Sequence, residues 1–436
     1  MRLLKMVKSE VKWQARTREE NLNLQRKKLK EILVKAANAT FYKNKFEKAR
    51  IKPEDIKDLE DLKKIPITSK AEIPIAAQNN PPFGGILAVP QNEIIRCYIS
   101  PGPIPTALTK KDVENWADRT ARILYLCGVR PGDIAINAVS YHMVPAGLMI
   151  HDGFEKLGCM VIPTGPGQSK TQAEIIKNFG VTVVQGFTEF LLHVAEVARK
   201  DLGLDPKKDF NLRLSISVPL PPRPERNRIE EALGLKERAT QIYGIGEAGW
   251  VAAECSAEQG LHVVEDAFIA EVVDPETKER VGPGERGELI LTCLDTEGSP
   301  KIRYGTGDAV TLTDEKCACG LEEVRILQVL GRIDEITKVK GLFIFPSTIE
   351  AVIKKYSELR RFQAVVDRPE NIDRLTVKVE YLGAPEKAEE LKSKLLRDFK
   401  EALRIDTNVE FVKPDEIKPT DKRLVDLRKG PVAWTK

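Results

Sequence analysis

Four residues in one region of the sequence carry the side chains that bind zinc most often. Cys255 and His262 form a Cys-x₆-His unit, and Cys317 and Cys319 form a Cys-x-Cys pair further along the chain. Thiolates and imidazole in a set of four satisfy tetrahedral Zn²⁺, and four protein ligands leave no position for water. Because the spacing is irregular, two interpretations stay open. These are a structural zinc site, or three buried cysteines and a surface histidine.

Composition excludes several classes of function. The 436 residues carry 69 Lys and Arg against 65 Asp and Glu, a balance that argues against a nucleic-acid partner. Two stretches free of charged residues, 73–92 and 134–151, contain proline and asparagine and are interpreted as strand and loop, not as bilayer helices. The N-terminus has no apolar run long enough for a secretory signal, so we expect a cytoplasmic protein without membrane insertion.

The elements that must position these residues follow a repeating pattern. Apolar runs typical of strands alternate with helical patterns from about residue 94 to 220. Strands are expected at 134–139, 160–163 and 181–185, and helices at 146–156, 171–179 and 188–200. Repeated strand–helix–strand units predict a mostly parallel sheet covered on both faces, and therefore an α/β fold.

The pattern changes twice in the second half of the chain. Residues 262–330 form short strands separated by turns with proline and glycine, which predicts a β-rich subdomain within the core. Beyond residue 334 strands are expected at 339–345, 362–366, 375–381 and 409–412, and helices at 346–356 and 384–403. We therefore expect a helical N-terminal segment (1–93), an α/β core (94–330) and a small α+β C-terminal domain (335–436).

A set of segments resembles the phenylacetate–coenzyme A ligase branch of the adenylate-forming superfamily. They follow the order of that family, and the ordered set is more specific than any single segment. The segments are residues 41–46, 56–62, 65–70, 129–133, 243–247, 302–308, 330–335 and 340–347. The resemblance implies two half-reactions. ATP and a carboxylic acid give an acyl-adenylate and pyrophosphate, and the thiol of coenzyme A then displaces AMP.

The resemblance also implies roles for single residues. Glu247 would help to hold Mg²⁺, because a hard cation near phosphates prefers carboxylate oxygen. Tyr243 would pack on the adenine, with Gly244 beside it in the same motif. Asp308 would accept both ribose hydroxyls, and Arg332 would contact the same nucleotide. The alternative for Glu247 is a loop carboxylate satisfied by local amides.

Three further positions complete the expected site. Asp334 resembles the hinge (331–334) about which the mobile C-terminal domain rotates between the half-reactions. The alternative for Arg332 and Asp334 is a surface ion pair at a domain boundary. Tyr141 and His142 fall where the family lines its acyl pocket. Lys422 aligns with the catalytic lysine of the family only through a gap, and the ungapped alignment puts Thr420 there.

Several nucleotide-contacting segments depart from the family pattern. Residues 98–106 stand in place of a phosphate loop rich in Ser, Thr and Gly, but they contain three prolines and lack the lysine of that loop, so fewer backbone N–H groups can surround pyrophosphate. Gly246 stands where the family has Ser or Thr, which removes one hydroxyl on the phosphate side. Residues 216–222 replace the Gly-Ala-Glu segment on the adenine side.

These features support one function and leave two alternatives open. The first is a ligase that uses ATP, Mg²⁺ and coenzyme A to activate a small carboxylic acid, aryl acids included, with a structural Zn²⁺. The second is a catalytically silent or repurposed homologue that binds a nucleotide, an acyl-thioester or a partner enzyme. The third is adenylyl transfer to a deazaflavin coenzyme. The oligomeric state stays open, with a homodimer as the commonest soluble assembly.

Overall fold

The computed structural model describes residues 12–13, 15–218, 220–221, 223, 225–340, 342–369 and 372–428, without the side chain of Asp334. Both ends of the chain, Gly341, and Pro219 and Pro222 of the adenine-side segment lie outside the described residues. The chain divides into two compact units. The first contains the residues up to Glu271, Ile290–Thr306 and Leu312–Leu327, and the second contains Val272–Leu289, Gly307–Thr311 and the residues from Gln328 onward.

Three helices open the first unit: α1 (Arg18–Ala36), α2 (Thr40–Ala49) and α3 (Glu72–Asn79). Thr17 and Glu20 form a capping box that satisfies N–H groups left free at the start of α1. Leu29 and Leu33 of α1 are buried in one cluster with Phe46 of α2. Short 3-10 helices lie at Pro53–Asp55, Leu59–Lys64 and Gln91–Glu93. The N-terminal helices therefore belong to the packed core of the first unit.

A five-stranded parallel sheet follows, as the alternating pattern predicts. Its strands are β3 (Ile134–Asn137), β4 (Met160–Ile162), β5 (Val183–Phe187), β6 (Leu214–Val218) and β7 (Arg238–Thr240), in the order β4-β3-β5-β6-β7. The helices of this region are α4 (Lys110–Cys127), α5 (Ala146–Leu157), α6 (Ser169–Asn178), α7 (Thr188–Leu202), α8 (Pro206–Asp209) and α9 (Glu225–Leu233). Ile136 and Val184 of the sheet pack with Leu191 and Val194 of α7, so a continuous apolar core supports the strand ends.

Two further sheets carry the expected site. The hairpin β1 (Ile94–Ser100) and β2 (Ile104–Thr109) contains the proline-bearing segment. The β-rich region is a seven-stranded sheet in the order β11-β12-β13-β14-β10-β9-β8. Its strands are β8 (Ile242–Ile245), β9 (Gly249–Glu254), β10 (Leu261–Val263), β11 (Phe268–Val273), β12 (Arg286–Cys293), β13 (Tyr304–Thr313) and β14 (Arg325–Arg332).

The C-terminal part of the second unit is the small α+β domain that the sequence predicts. Strands β17 (Leu359–Asp367), β18 (Arg374–Tyr381), β19 (Asn408–Val412) and β20 (Leu424–Asp426) form a sheet in the order β19-β18-β17-β20. Helices α10 (Pro346–Ile353) and α11 (Ala388–Leu403) accompany it. Leu395 and Phe399 of α11 pack on Val377 of the sheet in one buried cluster. Short 3-10 helices lie at Ile333–Glu335 and Pro385–Lys387.

The single strand expected at 339–345 is wrong. The structure has two short antiparallel strands instead, β15 (Thr337–Val339) and β16 (Leu342–Ile344), paired from Thr337↔Ile344 to Val339↔Leu342. Lys340 adopts a left-handed backbone conformation with φ of +50°, which reverses the chain between the two strands. The apolar pattern of this segment therefore indicated strand correctly but concealed the turn.

The two uncharged stretches form short elements. The first contains α3 and loop, and the second contains β3 and the start of α5. Within the described part of the chain, no helix combines the length and the apolar character that crossing a membrane requires. The cytoplasmic location and the homodimer stay predictions.

Candidate active site and candidate metal centre

The hairpin of β8 and β9 presents Glu247 at its turn. The strands pair from Ile242↔Ala253 to Ile245↔Gly249, with an irregularity in register beside Gly244. A Cβ at Gly244 would lie 2.5 Å from the carbonyl oxygen of Gly249, so only glycine fits there. Gly249 has φ of +74°, a conformation that favours glycine at the end of the turn. Backbone requirements therefore explain Gly244 of the motif and Gly249 just beyond it, on either side of Glu247.

The carboxylate of Glu247 is buried with little compensation. Its side chain has no solvent exposure, and neither carboxylate oxygen accepts a hydrogen bond from any described residue. Lys70 Nζ lies 3.2 Å from Oε1, close enough for an ion pair but without hydrogen-bond geometry. The alternative of a loop carboxylate satisfied by local amides is therefore wrong. Burying a carboxylate with one cation is costly, and the arrangement fits a residue that also binds Mg²⁺.

Lys70 is a residue that the sequence analysis did not select. It follows a bridge in which Thr68 N–H donates to the Arg303 carbonyl at 2.8 Å and Gly305 N–H donates to the Thr68 carbonyl at 2.9 Å. This bridge ties the segment 65–70 to the start of β13 and places Lys70 beside Glu247. About a third of the Lys70 side chain is exposed, so its amino group can also reach a bound anion.

The proline-bearing segment forms a tight hairpin instead of a long loop. Ser100 pairs with Ile104, so residues 101–103 alone make the turn, and they are exposed. Ser100 itself is buried, and its hydroxyl has no hydrogen-bond partner among the described residues. A Cβ at position 246 would collide with Ser100 Oγ and lie 3.1 Å from its Cβ. The space that a larger residue would need at position 246 is thus taken by Ser100.

Arg119 of α4 binds the turn of the β8–β9 hairpin at Ala248. This side chain is fully buried, donates from Nη2 to the Ala248 carbonyl at 2.7 Å, and pairs through Nη1 with Asp295 at 2.5 Å. Its guanidinium lies over the rings of Trp116 and Phe268, at 5.2 and 4.6 Å from their centroids. Stacking and bidentate donation suit arginine and not lysine. The residue next to Glu247 is therefore held by a rigid cation.

The two expected acyl-pocket residues, Tyr141 and His142, lie in different environments: Tyr141 is half-buried and His142 is exposed. The hydroxyl of Tyr141 accepts from Asn137 Nδ2 at 2.8 Å and lies 3.1 Å from Nδ1 of His151. Burial raises the pKa of Tyr141 to about 12, against a smaller lowering by Asn137. His142 is exposed, and its backbone N–H donates to Ser140 Oγ at 3.2 Å. The histidine in this polar network is His151, which the sequence analysis did not select.

The nucleotide residues of the second unit lie together. Arg332 Nη1 donates to Asp308 Oδ1 at 2.8 Å, and the Asp308 side chain is mostly buried. A Cβ at Gly307 would collide with the Arg332 guanidinium. Asp334 lies in the 3-10 helix Ile333–Glu335. Lys422 and Thr420 are both exposed just before β20, and the Lys422 carbonyl accepts from Gln363 at 3.1 Å.

The four candidate zinc ligands converge within the first unit. Their ligand atoms all lie within 4.8 Å of one another, with Cys255 Sγ 3.8 Å from Cys317 Sγ and Cys319 Sγ 3.5 Å from His262 Nε2. His262 lies on β10 and is fully buried, so the alternative with a surface histidine is wrong. Three thiols and one imidazole at this separation fit a tetrahedral Zn²⁺.

A second layer of residues orients the cluster. Glu323 Oε2 lies 3.4 Å from His262 Nδ1, and Trp13 Nε1 donates to Glu323 Oε1 at 3.0 Å. A carboxylate behind Nδ1 leaves Nε2 directed at the thiols, the arrangement typical of histidines that bind metals. Although burial alone has the opposite effect, contact with the Cys255 thiol and Glu323 raises the pKa of His262 to about 9. Contact with His262 in turn lowers the pKa of Cys255 to about 6 against the effect of its burial.

Comparisons with known proteins identify the family of this chain. Residues 341–428 match the family described as the AMP-binding enzyme C-terminal domain. The chain is 32% identical to phenylacetate-coenzyme A ligase of Thermus thermophilus over 94% of this chain and 98% of that protein. It is 34% identical to the enzyme of the same name from Escherichia coli, over 82% of each chain.

The chain belongs to the phenylacetate-coenzyme A ligase family. A crystal structure of 2-hydroxyisobutyryl-CoA ligase matches with a TM-score of 0.83 and 26% identity, over 94% of this chain and 93% of that chain. The resemblance inferred from the motifs is therefore confirmed, together with the α/β fold and the C-terminal domain. As an enzyme, the protein is an AMP-forming acid–thiol ligase, the class shared by these relatives.

The structure brings many of the predicted site residues together in three groups. Tyr243 and Glu247 share the β8–β9 hairpin, Asp308 pairs with Arg332, and the four zinc-type ligands form one cluster. The roles assigned to them stay predictions. Lys70, Ser100 and Arg119 were missed, although Lys70 ends a segment that resembles the family and Ser100 lies in the segment 98–106 that stands in place of its phosphate loop.

Proposed function

We propose that this ligase activates a small carboxylic acid, aryl acids included, as an acyl-adenylate and then transfers the acyl group to coenzyme A. The observation that supports this most is the buried Glu247 carboxylate, which has a lysine 3.2 Å away and no hydrogen-bond donor among the described residues. A carboxylate of this kind is stabilised when a cation binds, and ATP arrives with Mg²⁺.

The first half-reaction needs charge compensation around the phosphates. A carboxylate oxygen of the acid attacks the α-phosphorus of ATP, and the bond to the β-phosphate oxygen breaks with release of pyrophosphate. Bound Mg²⁺ would offset phosphate charge, with Glu247 as its protein ligand. Lys70 supplies a positive charge beside it, in a chain whose phosphate loop lacks its lysine. Tyr243 packs on the adenine in this proposal, with Gly244 beside it.

The second unit holds the remaining nucleotide residues. Asp308 accepts the two ribose hydroxyls, and Arg332, already paired with it at 2.8 Å, fixes the carboxylate for that task. Asp334 serves as the hinge, and Lys422 acts as the catalytic cation of adenylation, with Thr420 as the alternative at that position. The thiol of coenzyme A then attacks the acyl carbon, and AMP leaves.

The class of the carboxylic acid substrate is proposed from the names of two sets of relatives. The curated relatives are named for phenylacetate, and the structural relative is named for 2-hydroxyisobutyrate, which are small acids with and without an aryl ring. Tyr141, with the polar network of Asn137 and His151 around it, is the proposed pocket wall. His142 stays in the proposal as an exposed residue at its rim.

The experiment measures AMP and pyrophosphate release from Mg·ATP with a panel of aryl, hydroxy and short alkyl acids, each with and without coenzyme A. We expect acid-dependent AMP formation that Glu247→Gln reduces by about a thousandfold, since a lost charged ligand in the transition state costs several kcal/mol. Glu297→Gln is the matched control, because that carboxylate forms a partly exposed ion pair with Lys35 and Lys111.

Other outcomes decide between the alternatives. Acid-independent adenylyl transfer to a deazaflavin would replace the thioester proposal with the third function. Binding of nucleotide or acyl-thioester without turnover would favour the silent homologue. Equal rates for Glu247→Gln and Glu297→Gln would remove Glu247 from the proposed site.

We also propose that Cys255, His262, Cys317 and Cys319 hold a structural Zn²⁺. The separation of their ligand atoms and the Glu323 carboxylate behind His262 support it. With four protein ligands the ion would have no position for substrate, so its contribution would be to stability. It would join the loop after β9, strand β10 and the turn between β13 and β14.

A further inference from the structure

A cavity of about 540 Å³ lies within the second unit. Its wall comes from the turn between β11 and β12, from strand β16 and from the end of α11. Along the chain, the hinge segment 331–334 lies between the first of these elements and the other two. Volumes of this order are typical of sites for small organic ligands. None of the site residues assigned above lines the cavity, so the proposed reaction leaves it without a role.

Two arginines of the wall have no carboxylate partner. Arg286 at the start of β12 and Arg404 directly after α11 are both exposed, and neither guanidinium lies within ion-pair distance of a carboxylate among the described residues. The carboxylates of the same wall bind elsewhere. Asp274 and Glu285 accept from backbone N–H groups of their own turn at 2.8 Å, and Asp274 also faces the Lys338 ammonium at 3.6 Å. The two guanidinium groups are therefore available to an anion.

The apolar part of the wall indicates what else the anion carries. Leu342 of β16 is 39% exposed, and Phe343 and Leu403 line the cavity with it. Lys338 Nζ lies 4.7 Å from the centroid of the Phe343 ring, which extends the positive character to this side. A bound apolar group would remove exposed hydrocarbon from water. The wall thus suits an anion with an apolar body and not a bare inorganic ion.

We propose that this cavity is a second, regulatory site for a small carboxylic acid with an apolar body, and that the bound acid holds β16 and the end of α11 against the β11–β12 turn. The inference rests on the proposed function, because the ligand belongs to the class of the proposed substrate and the held elements lie on either side of the proposed hinge. A guanidinium binds a carboxylate through two parallel hydrogen bonds. Rotation about residues 331–334 would separate the two parts of the wall, so a bound acid would oppose it. Excess acid should therefore slow thioester formation.

Hydrogen exchange of the full chain, followed by mass spectrometry, locates the site without turnover. The probes are phenylacetate, its neutral analogue phenylacetamide, inorganic phosphate and coenzyme A, each added without ATP. Phenylacetate is expected to slow exchange in residues 281–286 and 402–404. The other three probes should not, because each of them lacks a carboxylate on an apolar body.

Substitution of the arginines tests the contacts. Arg404→Gln and Arg286→Gln should each raise the phenylacetate concentration for half-maximal protection by about tenfold or more, since a lost charge-assisted hydrogen bond weakens binding to that extent. The Arg404 side chain forms no hydrogen bond or ion pair within the described chain, so its substitution removes no internal contact of that kind. Arg397→Gln is the matched control, because Arg397 is also exposed and unpaired on α11 but does not line the cavity.

Steady-state kinetics tests the regulatory role. As the concentration of the acid found active in the substrate panel increases, the rate of thioester formation by the wild-type protein should rise and then fall. The double variant Arg286→Gln with Arg404→Gln should lose only the fall. The values of kcat and KM measured at low acid should agree in the two proteins, since neither arginine belongs to the proposed reaction site.

The outcomes separate this inference from the proposed function. Protection that is absent from the cavity segments, or that both arginine variants retain, overturns the acid site. Protection by coenzyme A or phosphate that the variants lose also overturns it, because the cavity would then bind phosphate groups. A fall in rate that persists in the double variant overturns the regulatory role. A protein that releases no AMP with any acid, yet shows arginine-dependent protection by phenylacetate, overturns the proposed function and supports the acid site.

Discussion

Around Glu247 and around His262 the first unit buries polar side chains in opposite ways. Beside Glu247, the carboxylate oxygens and the Ser100 hydroxyl have no hydrogen-bond partners among the described residues. Beside His262, three thiols and an imidazole lie within 4.8 Å of one another, with Glu323 and Trp13 behind them. The first arrangement suits a ligand that arrives with its own charge and leaves again. The second suits an ion that stays.

This difference separates two effects of mutation. Side chains of the closed cluster should act on stability, because a resident ion contributes folding free energy. The unpartnered polar side chains around Glu247 should act on affinity and rate and little on stability, because they make no hydrogen bond within the described chain that a variant would lose. A cluster variant that changes only the rate, or a variant of an unpartnered residue near Glu247 that changes only stability, would contradict this difference.

The largest effect is expected from the cluster. Purified protein should contain about one zinc per chain, and Cys317→Ser should lose it and unfold on the order of 5–10 °C lower, since a broken structural site costs roughly 3 kcal/mol or more. Elemental analysis and calorimetric unfolding measure both. Cys127→Ala is the control, because that thiol is equally buried outside the cluster.

Two results would contradict the zinc proposal. One is wild-type protein that contains no zinc and unfolds at the same temperature with and without a chelator. The other is a Cys317→Ser variant that retains its metal. Either would leave the four residues as a thiol cluster that packs like any other part of the core.

The cluster also marks what the sequence can and cannot predict. Cysteine and histidine are rare and chemically specific, so Cys255 and Cys317 could be grouped despite their separation along the chain. The parallel sheet could be predicted because apolar strand-like runs alternate with helical patterns along the sequence. Lys70 and Ser100 lie in segments whose relation to the family was noted, but their proximity to Glu247 could not be predicted, because those segments are distant from it along the chain. Arg119 left no signal of its own. Their roles depend on tertiary contacts that periodicity does not encode.

The β15–β16 hairpin was missed for a related reason. Its apolar residues predict extended backbone equally well for one strand or for two. The turn depends on the left-handed conformation of Lys340, which a lysine adopts only when the surrounding structure imposes it. Departures from the family pattern were easier to locate than to interpret. The loss of a side chain at Gly246 was visible, whereas the approach of Ser100 to that position was not.

An intermediate effect is expected from Arg119, which we predict to be a positioning residue. Arg119→Gln should lower kcat/KM for Mg·ATP by about 10–100-fold, because the Ala248 carbonyl beside Glu247 loses its donor. Arg119→Lys should not restore it, since an ammonium cannot stack between Trp116 and Phe268 while donating to two acceptors. Steady-state kinetics with separate kcat and KM values measures both.

Arg122→Gln is the matched control for Arg119. It lies on the same helix and pairs with Asp266 at 2.8 Å, whereas the Ala248 carbonyl of the hairpin accepts from Arg119. Both variants should unfold at lower temperature, whereas only Arg119→Gln should change the kinetics with Mg·ATP. Parallel losses in both variants would show that Arg119 acts through stability alone.

The smallest effect concerns Lys301, a buried cation of the first unit. Its Nζ donates to the Ser299 carbonyl at 2.9 Å and to Ser299 Oγ at 3.4 Å, and no carboxylate of the described residues lies within ion-pair distance. Burial lowers its pKa below the ordinary value of about 10.5, against the raising effect of Cys293, Glu247 and Asp112. Lys301→Met should therefore stabilise the protein at neutral pH by about 1–3 kcal/mol.

The pH dependence of that gain follows from the direction of the shift. Between the lowered pKa of the folded state and about 10.5, the unfolded chain binds more protons at Lys301, so wild-type stability rises with pH relative to Lys301→Met. The gain should be largest below the lowered pKa and shrink as the pH approaches 10.5. Denaturant unfolding at several pH values measures it, with the exposed Lys208→Met as control. A destabilised Lys301→Met variant would mean that the positive charge of Lys301 compensates nearby negative groups such as Glu247. The charge of Glu247 would then be balanced within the chain, and the contrast with the zinc-type cluster would be lost.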